Sequence, residues 1–283
     1  MAKIVPSSPV PSSPAPSSPD QVPPLSSPAS RLSVQVRHRI GSLQIDVAFE
    51  LTQSWTILFG PSGSGKTTIL RAITGLFEPA FADIVSYPRL ASPTATGTTL
   101  IDTDKGICLP PHKRGMVLAS QKPTLFPHMT VLQNIRFGYP GASNAAEQEH
   151  LNELTTSIPK LFRIDHLLHR RPAELSGGET QRVHLARATM ARRIHTLLLD
   201  EPFTGLDHAL RDELITDLLV WQEKSRVPIL SVTHDVTEAF QLGAEVIKIA
   251  EGRVVEQGPV AQVLAGERER LLEQLNASKG SQA

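Results

Sequence analysis

The residue types with the clearest chemistry form a glycine-rich segment that ends in a lysine and a threonine. The segment matches the pattern GxxxxGK[ST] in full, with the residues Gly60, Pro61, Ser62, Gly63, Ser64, Gly65, Lys66 and Thr67. In such a loop the backbone N–H groups surround a β-phosphate, the lysine neutralises the β- and γ-phosphates, and the threonine hydroxyl binds Mg²⁺. The segment and the adjoining Thr68 therefore predict a nucleoside triphosphate site. The alternative is a turn that only caps a helix.

A second segment with chemical potential is the apolar run 197–199, which ends in the adjacent carboxylates Asp200 and Glu201. Adjacent carboxylates repel each other unless a cation or a water network receives them. We interpret Asp200 as part of the Mg²⁺ shell and Glu201 as the general base that polarises the attacking water. By itself this pattern is weak, because many strands end at solvated acids.

Two further groups fit the same chemistry. His234 follows the apolar run 229–233, where its ring can hydrogen-bond a γ-phosphate and position water near Glu201. A second predicted anion site is the start of a helix, formed by Ser176, Gly177 and Gly178. An isolated histidine is more often structural, and a lone serine at this place is a helix cap.

The segments around these motifs predict a mixed α/β fold. Apolar and polar residues alternate in 32–36 and 43–49, whereas 56–59, 196–199 and 229–233 are continuous apolar runs. Continuous runs are typical of strands buried on both faces of a mostly parallel sheet. The segment 66–75 predicts a helix with a glycine stop. Apolar residues at helical spacing then predict a mainly helical insert; they are Leu161, Ile164, Leu167, Leu168, Val183, Ala186 and Met190.

Composition limits the classes of function. Lys plus Arg number 28 and Asp plus Glu also 28, so no bulk positive field attracts a polyanion, and we expect no nucleic-acid partner. The single cysteine, Cys108, excludes an internal disulfide and fits a reducing compartment. No run approaches the roughly 18 apolar residues that span a bilayer. The repeated PSSP motif predicts a disordered tail over 1–31.

The segment 175–179, Leu-Ser-Gly-Gly-Glu, resembles the signature of ATP-binding-cassette (ABC) proteins. The order of the other motifs agrees with this resemblance, which covers about residues 32–265; they are Gln121 before 125–128, the segment 204–207, and the segment 231–235. The resemblance implies a P-loop NTPase core with a mostly parallel sheet, an antiparallel β subdomain and an inserted helical subdomain. We expect a nucleotide-binding domain at 32–266, its helical insert at about 122–190, and a short C-terminal tail at 267–283.

The same resemblance implies the chemistry and the assembly. The cofactors are ATP and Mg²⁺, and Gln121 is both a metal ligand and a member of the catalytic group with Glu201 and His234. The functional unit is a head-to-tail homodimer, in which Ser176 and Gly178 of one subunit contact the γ-phosphate held by Lys66 of the other. Gly177 belongs to the same half-site, and Asp207 shapes the neighbouring site across the dimer.

The segment 99–114 is similar to bacterial import ATPases, especially those for molybdate. This similarity implies integral-membrane permease partners, an indirect periplasmic or extracellular solute-binding protein, and a peripheral position on the cytoplasmic face of the inner membrane. The oxyanion is molybdate, tungstate or sulfate. The alternatives are a soluble ABC ATPase acting on nucleic acid or ribosomes, which usually has two cassettes or a coiled coil, and a P-loop kinase, which does not need the 175–179 signature.

One departure from the family pattern concerns the nucleobase. An aromatic side chain usually stacks on adenine just before the position of Gly41, and this sequence has Ile40 there. We expect poor discrimination between ATP and GTP, unless His38 rotates in and restores stacking.

Overall fold

The computed structural model describes residues 31–87, 97–139, 141–192, 194–243 and 245–280. Within these ranges the strands are β1 (Leu32–Ile40), β2 (Leu43–Leu51), β3 (Trp55–Phe59), β4 (Phe81–Ser86), β5 (Thr98–Asp102), β6 (Ile107–Cys108), β7 (Met116–Ala119), β8 (Thr196–Asp200), β9 (Ile229–Thr233), β10 (Glu245–Ala250) and β11 (Arg253–Pro259). The helices are α1 (Lys66–Thr74), α2 (Val131–Arg136), α3 (Ala145–Leu161), α4 (Gly177–Thr189), α5 (His208–Ser225), α6 (Val236–Leu242), α7 (Val260–Val263) and α8 (Ala265–Gly280). Short 3₁₀ turns occupy Pro111–Lys113, Asp165–Leu167 and Pro172–Glu174.

These strands form one sheet in the order β6-β5-β4-β1-β2-β11-β10-β3-β9-β8-β7. The five strands from β10 to β7 are parallel, and the five from β6 to β2 are antiparallel. The two parts meet through β11, which pairs with β10 in the antiparallel sense and touches β2 through Arg253 and Asp46. The predicted fold class, a parallel core with an antiparallel β subdomain and a helical insert, is confirmed.

The parallel strands carry the predicted functional residues at one edge of the sheet. β3 leads directly into Gly60, β7 ends two residues before Gln121, β8 ends at Asp200, and β9 ends one residue before His234. Because these strands are parallel, all four ends lie at the same edge, where open α/β sheets bind their ligands. Topology alone therefore brings together segments that are up to 174 residues apart in the sequence, as Gly60 and His234 are.

The core lies on both faces of the parallel strands, as the continuous apolar runs predict. In β8, the side chains of Leu197 and Leu199 pack into the cluster that contains the helical insert, whereas Leu198 packs into the cluster that contains α1. All three leucines are fully buried. Since alternate residues face opposite sides, a strand covered on both sides needs an apolar residue at every position.

Arg114 fixes the start of β7 relative to the end of α1. Its buried guanidinium donates to the carbonyl oxygens of Ala72 and Ile73 at 2.8 and 3.0 Å, and to that of Leu109 at 2.7 Å. The last carbonyls of a helix lack partners within the helix, so this arginine caps α1. Gly75 has φ +79°, and a Cβ there would lie 2.7 Å from the guanidinium carbon. The sequence alone gave Arg114 no such role.

The helical insert contains α2, α3 and α4. The helical spacing that begins at Leu161 is realised only in part, because α3 ends there and Arg163 has φ +54°. The segment that follows is a 3₁₀ turn, Asp165–Leu167. Residues 267–280 of the predicted C-terminal tail belong to α8, which Glu267 joins to Lys248 at 2.7 Å. Residues 1–30 of the predicted N-terminal tail lie outside the described residues.

Candidate nucleotide-binding and catalytic site

The predicted phosphate loop turns around the side chain of Lys66. Its Nζ donates to the carbonyl oxygens of Gly60 and Pro61, both at 2.7 Å, and to Ser64 Oγ at 3.4 Å. Gly65 precedes α1 with φ +99°, and a Cβ there would lie 2.8 Å from Ile45 Cδ1. Glycine is therefore required at this position by both backbone conformation and space. The loop places an ammonium group and the N-terminus of α1 at one point, which is an arrangement that binds phosphate.

Charges of both signs meet beside this loop. Burial lowers the pKa of Lys66, and the nearby Glu201 and Asp200 carboxylates oppose that shift. Burial raises the pKa of Asp200, and Glu201 adds to the effect, while hydrogen bonding from Thr67 and the positive charge of Lys66 oppose it. A cation placed between these carboxylates would favour their ionised forms.

The predicted Mg²⁺ ligands Thr67 and Asp200 are in contact, since Thr67 Oγ1 donates to Asp200 Oδ1 at 3.1 Å. A hydroxyl and a carboxylate at the end of a phosphate loop fit Mg²⁺, which takes one or two protein oxygens and completes its shell with phosphate oxygens and water. Among the described residues no group of three or more His, Cys, Asp or Glu side chains is placed to hold a metal.

Glu201 is the point at which the other predicted residues converge. Its Oε2 accepts hydrogen bonds from Gln121 Nε2 at 3.0 Å and Thr204 Oγ1 at 3.2 Å, while Oε1 lies 3.3 Å from His234 Nδ1. The residue has φ +46°, a conformation that a non-glycine residue rarely adopts, and its N–H donates to the carbonyl of Val232 at 3.1 Å. Backbone strain of this kind is common at functional sites.

As a metal ligand, which the sequence predicts, Gln121 would use its amide oxygen. Its amide nitrogen, rather than its oxygen, points at Glu201. Thr204 is a contact that the sequence did not assign, although it lies in the quoted segment 204–207. Thr204 could have been found from the sequence, because it lies three residues after Glu201 at the end of a buried strand.

Residues of the phosphate loop, Gln121 and Glu201 line a cleft of about 360 Å³ together with two apolar side chains. The lining residues are Ile40, Leu43, Ser62, Gly63, Gly65, Lys66, Thr67, Thr68, Gln121 and Glu201. Ser176, Gly177, Gly178 and Asp207 are not in this set, although the structure describes all four. Within one chain the phosphate loop contacts Asp200, whereas the side chains of Ser176 and Asp207 accept hydrogen bonds at the starts of their own helices.

The signature segment begins α4 with a reciprocal cap. Ser176 Oγ accepts the Glu179 N–H at 3.3 Å, and Glu179 Oε2 accepts the Ser176 N–H at 2.7 Å. Ser176 and Gly177 are exposed, whereas a Cβ at Gly178 would lie 2.6 Å from Leu210 Cδ2. Asp207 accepts the Leu210 N–H at 3.0 Å and so caps α5. The glycine at 178 therefore permits close packing of α4 on α5, a reason that the sequence did not reveal.

Known proteins match this chain over most of its length. The family model described as ABC transporter matches residues 45–204. The chain belongs to the ABC transporter family. It is 38% identical over 234 residues to the molybdenum import ATP-binding protein ModC of Mesorhizobium japonicum, covering 82% of this chain and 59% of that one. It is 35% identical over 246 residues to the molybdate/tungstate import ATP-binding protein WtpC of Archaeoglobus fulgidus, covering 87% and 94% respectively.

The ABC family chain thus spans about three fifths of the length of its ModC relatives and nearly all of WtpC. Among solved structures, cbiO1 of Clostridium perfringens, part of the ABC transporter complex cbiONQ, has a TM-score of 0.69 at 22% identity, covering 90% of this chain and 100% of that one. A dimeric ATP-binding cassette bound to ADP and Pi has a TM-score of 0.62 at 24% identity, covering 81% and 98%. These similarities show the ABC ATPase fold, and membership of the ABC family implies ATP binding.

Proposed function

We propose that this ABC protein is the ATP-hydrolysing subunit of an importer that takes up an oxyanion, either molybdate or tungstate. The observation that carries the proposal is identity of 35–38% to ModC and WtpC proteins over more than four fifths of the chain. The similarity of segment 99–114 to molybdate-import ATPases supports it independently of the nucleotide site. Among the described residues no helix is long and apolar enough to cross a bilayer. The similarity to import ATPases supports integral-membrane permease subunits as partners and a position at the cytoplasmic face of the inner membrane.

In the proposed hydrolysis of ATP, residues that line the cleft and the neighbouring Asp200 and His234 have separate roles. Lys66 binds the β- and γ-phosphates, and Thr67 and Asp200 would hold Mg²⁺, which would supply positive charge to offset that of the phosphates. Glu201 accepts the proton of the attacking water, and His234 orients its carboxylate from 3.3 Å. Gln121 follows the end of β7 and donates to the same carboxylate at 3.0 Å. Its amide oxygen would be a further ligand of the metal.

Assembly of a homodimer completes the site. Ser176 and Gly177 are exposed at the start of α4, where backbone N–H groups and the helix dipole favour an anion. In a head-to-tail dimer these residues and Gly178 contact the γ-phosphate bound to Lys66 of the other subunit. Asp207 follows from the neighbouring loop and shapes the same site. Hydrolysis removes the phosphate bridge, so the dimer closes and opens once per cycle and drives the permease.

The surface for the permease lies on the helical insert. The rings of Phe126 and Phe137 contact each other at a 45° tilt with centroids 4.3 Å apart, and Phe137 is 54% exposed. Asn134 holds the adjoining loop by donating to the carbonyls of Phe126 and Met129 at 3.1 and 3.3 Å. Val131, in the first turn of α2, is fully buried and belongs to the core. The exposed Phe137, backed by the half-buried Phe126, is suited to receive a short helix of the permease.

We expect uptake of molybdate and tungstate to fall to background in cells that lack the gene, while phosphate uptake is unchanged. The wild-type gene should restore uptake, and Glu201→Gln should not, because transport needs hydrolysis. The measurement is initial uptake of each oxyanion at limiting concentration. Normal molybdate uptake in the deletion strain, without a second importer, would refute the assigned solute.

Replacement of the exposed aromatic residue in the same assay tests the permease surface. Phe137→Asp should abolish uptake and copurification with the membrane subunits, because it places a charge in an apolar contact. Leu219→Asp is the matched control, since Leu219 is 38% exposed on α5. Equal uptake by both variants would show that the permease binds elsewhere.

The positions of Ile40 and His38 bear on how the cleft holds the nucleobase. Ile40 is 44% exposed and lines the cleft, so it offers little stacking surface. His38 is held elsewhere, because its Nδ1 accepts the Ala80 N–H at 3.1 Å and its ring packs edge-on to Phe77. Affinity then depends mainly on the phosphates that ATP and GTP share. We expect kcat/KM for GTP within about tenfold of that for ATP, a difference of ~1.4 kcal/mol.

Ile40→Tyr should increase the preference for ATP, because base stacking contributes roughly 1–3 kcal/mol in other nucleotide sites. Ile107→Tyr is the control, since Ile107 is a 38% exposed strand residue in β6. The measurement is kcat/KM for both nucleotides in all three proteins. A strong ATP preference in the wild type that Ile40→Tyr leaves unchanged would show that other groups hold the base.

A further inference from the structure

Behind His234 lies a buried carboxyl that the proposed chemistry does not use. Glu238, in the first turn of α6, is 5% exposed. Its Oε2 accepts a hydrogen bond from Thr233 Oγ1 at 3.0 Å, and its Oε1 is buried without a hydrogen-bond partner. An ionised carboxylate in such surroundings is unfavourable, because one of its oxygens loses its hydrogen bonds to water and forms none in the protein.

This carboxyl holds the turn that carries His234. The Thr233 hydroxyl, which donates to Glu238, also accepts the N–H of Asp235 at 3.0 Å. Asp235 Oδ1 in turn accepts the N–H of Thr237 at 2.7 Å and that of Glu238 at 3.2 Å. The residues on both sides of His234 are therefore fixed by one hydrogen-bonded ring, whereas the His234 side chain itself is half exposed.

We propose that Glu238, in its uncharged form, is a positioning residue for His234. The neutral carboxyl accepts the Thr233 hydroxyl without repelling its neighbours, and this keeps the turn in the geometry that sets His234 Nδ1 3.3 Å from Glu201 Oε1. The inference rests on the catalytic role proposed above for His234. It adds that the protonation of a second group, outside the cleft, controls the geometry of that histidine.

The charges around Glu238 determine what its ionisation does. Burial raises its pKa to about 7, opposed by the hydrogen bond from Thr233, and Asp235 and Glu201 add to the rise. Arg211 on α5 is the cation that opposes it: its Nη1 is 3.2 Å from Asp235, and its buried Nε, which has no hydrogen-bond partner, is 3.5 Å from Asp212. Of the other elements packed on α6, β3 and α7 contain no ionisable residue, and α8 places the Arg268 guanidinium 5.5 Å from the Phe240 ring. Ionised Glu238 is therefore repelled by Asp235, and the ring around the turn loosens.

The test compares the pH dependence of ATP hydrolysis in the wild type and in Glu238→Gln. The glutamine keeps the acceptor for Thr233 but has no charge at any pH. We expect kcat of the variant within about twofold of the wild type at pH 6.5, and the ratio of variant to wild-type kcat to rise about threefold by pH 8.5. The ratio cancels the titration of groups that do not interact with Glu238. Glu267→Gln, which removes a carboxyl paired with Lys248, should give a ratio that is constant with pH.

Two variants test the hydrogen bond itself. Glu238→Ala removes the acceptor, and Thr233→Val removes the hydroxyl with little change of shape. Each should lower kcat about tenfold and leave KM for ATP within about twofold, because the phosphate loop is untouched. A structural defect would change kcat, KM and the melting temperature together. If Glu238→Ala does not fold, the inference is still tested by kcat of Thr233→Val and by the pH dependence of the kcat ratio of Glu238→Gln to the wild type.

The outcomes separate the two proposals. A pH-independent Glu238→Gln ratio overturns the inference, and so does full kcat in the Glu238→Ala and Thr233→Val variants. His234→Ala, measured in parallel, should abolish hydrolysis. If it is inactive while all Glu238 and Thr233 variants are normal, only the inference is wrong. If it hydrolyses ATP at the wild-type rate, the role of His234 in the proposed function is wrong as well.

Discussion

Glu201→Gln should bind ATP with nearly unchanged affinity and hydrolyse it about 10²–10⁴-fold more slowly. The amide oxygen still accepts hydrogen bonds from Gln121 and Thr204, so the cleft keeps its shape. The left-handed backbone at this position, φ +46°, is tolerated equally by both side chains. What is lost is the carboxylate that takes a proton from water. The measurement is single-turnover hydrolysis together with the dissociation constant for ATP.

The same variant should accumulate as an ATP-bound dimer, because the γ-phosphate that joins Lys66 to Ser176 of the other subunit is not removed. Sedimentation with ATP and Mg²⁺ measures this directly. Glu251→Gln is a matched control, since Glu251 is an exposed glutamate that also has positive φ, +49°. It should hydrolyse ATP as the wild type does. A Glu201→Gln protein that stays monomeric with saturating ATP would contradict the shared site.

Lys66→Ala should weaken ATP binding by about 10- to 100-fold, because a hydrogen bond to a charged group contributes about 1.5–3 kcal/mol. The structure adds a second reason. Lys66 also holds the carbonyls of Gly60 and Pro61 at 2.7 Å, so its loss loosens the loop before nucleotide arrives. Hydrolysis should fall with binding, since the γ-phosphate loses its main cation.

The measurement for this variant is titration with ATP in the presence of Mg²⁺, with the melting temperature as a check on folding. Lys105→Ala provides the control, because Lys105 is 74% exposed and pairs only with Asp102 in the antiparallel part of the sheet. It should bind ATP normally. Equal ATP affinity and hydrolysis in Lys66→Ala and the wild type would remove the basis of the phosphate site.

Local motifs made much of the candidate site predictable. A phosphate loop needs consecutive backbone N–H groups, a lysine and a hydroxyl, so residues 60–67 must be contiguous in the sequence. The strands that carry Asp200 and His234 were equally readable, because a strand covered on both faces is apolar at every position, as 197–199 is. Parallel strands then bring their carboxyl ends together, which explains why motifs far apart in the chain meet at Glu201.

Other roles depend on contacts between distant segments, and no local pattern encodes them. Gly178 looks like a phosphate-binding glycine, yet its lack of a side chain also admits Leu210 of α5. Glu238 looks like a surface acid in a short helix, but folding buries it against Thr233. Arg114 looks like a solvated cation, but it is the cap of α1.

The sequence by itself therefore determined the fold class, the phosphate loop and the acidic pair, because each depends on periodicity or on the spacing of neighbouring residues. Only the tertiary structure decided which charged side chains are buried, which carboxyl faces an unfavourable environment, and which glycine packs against a neighbouring helix. The physical reason is that burial and hydrogen-bond satisfaction are properties of the surroundings. Residues 42 positions apart, such as Ala72 and Arg114, become partners only when the chain has folded.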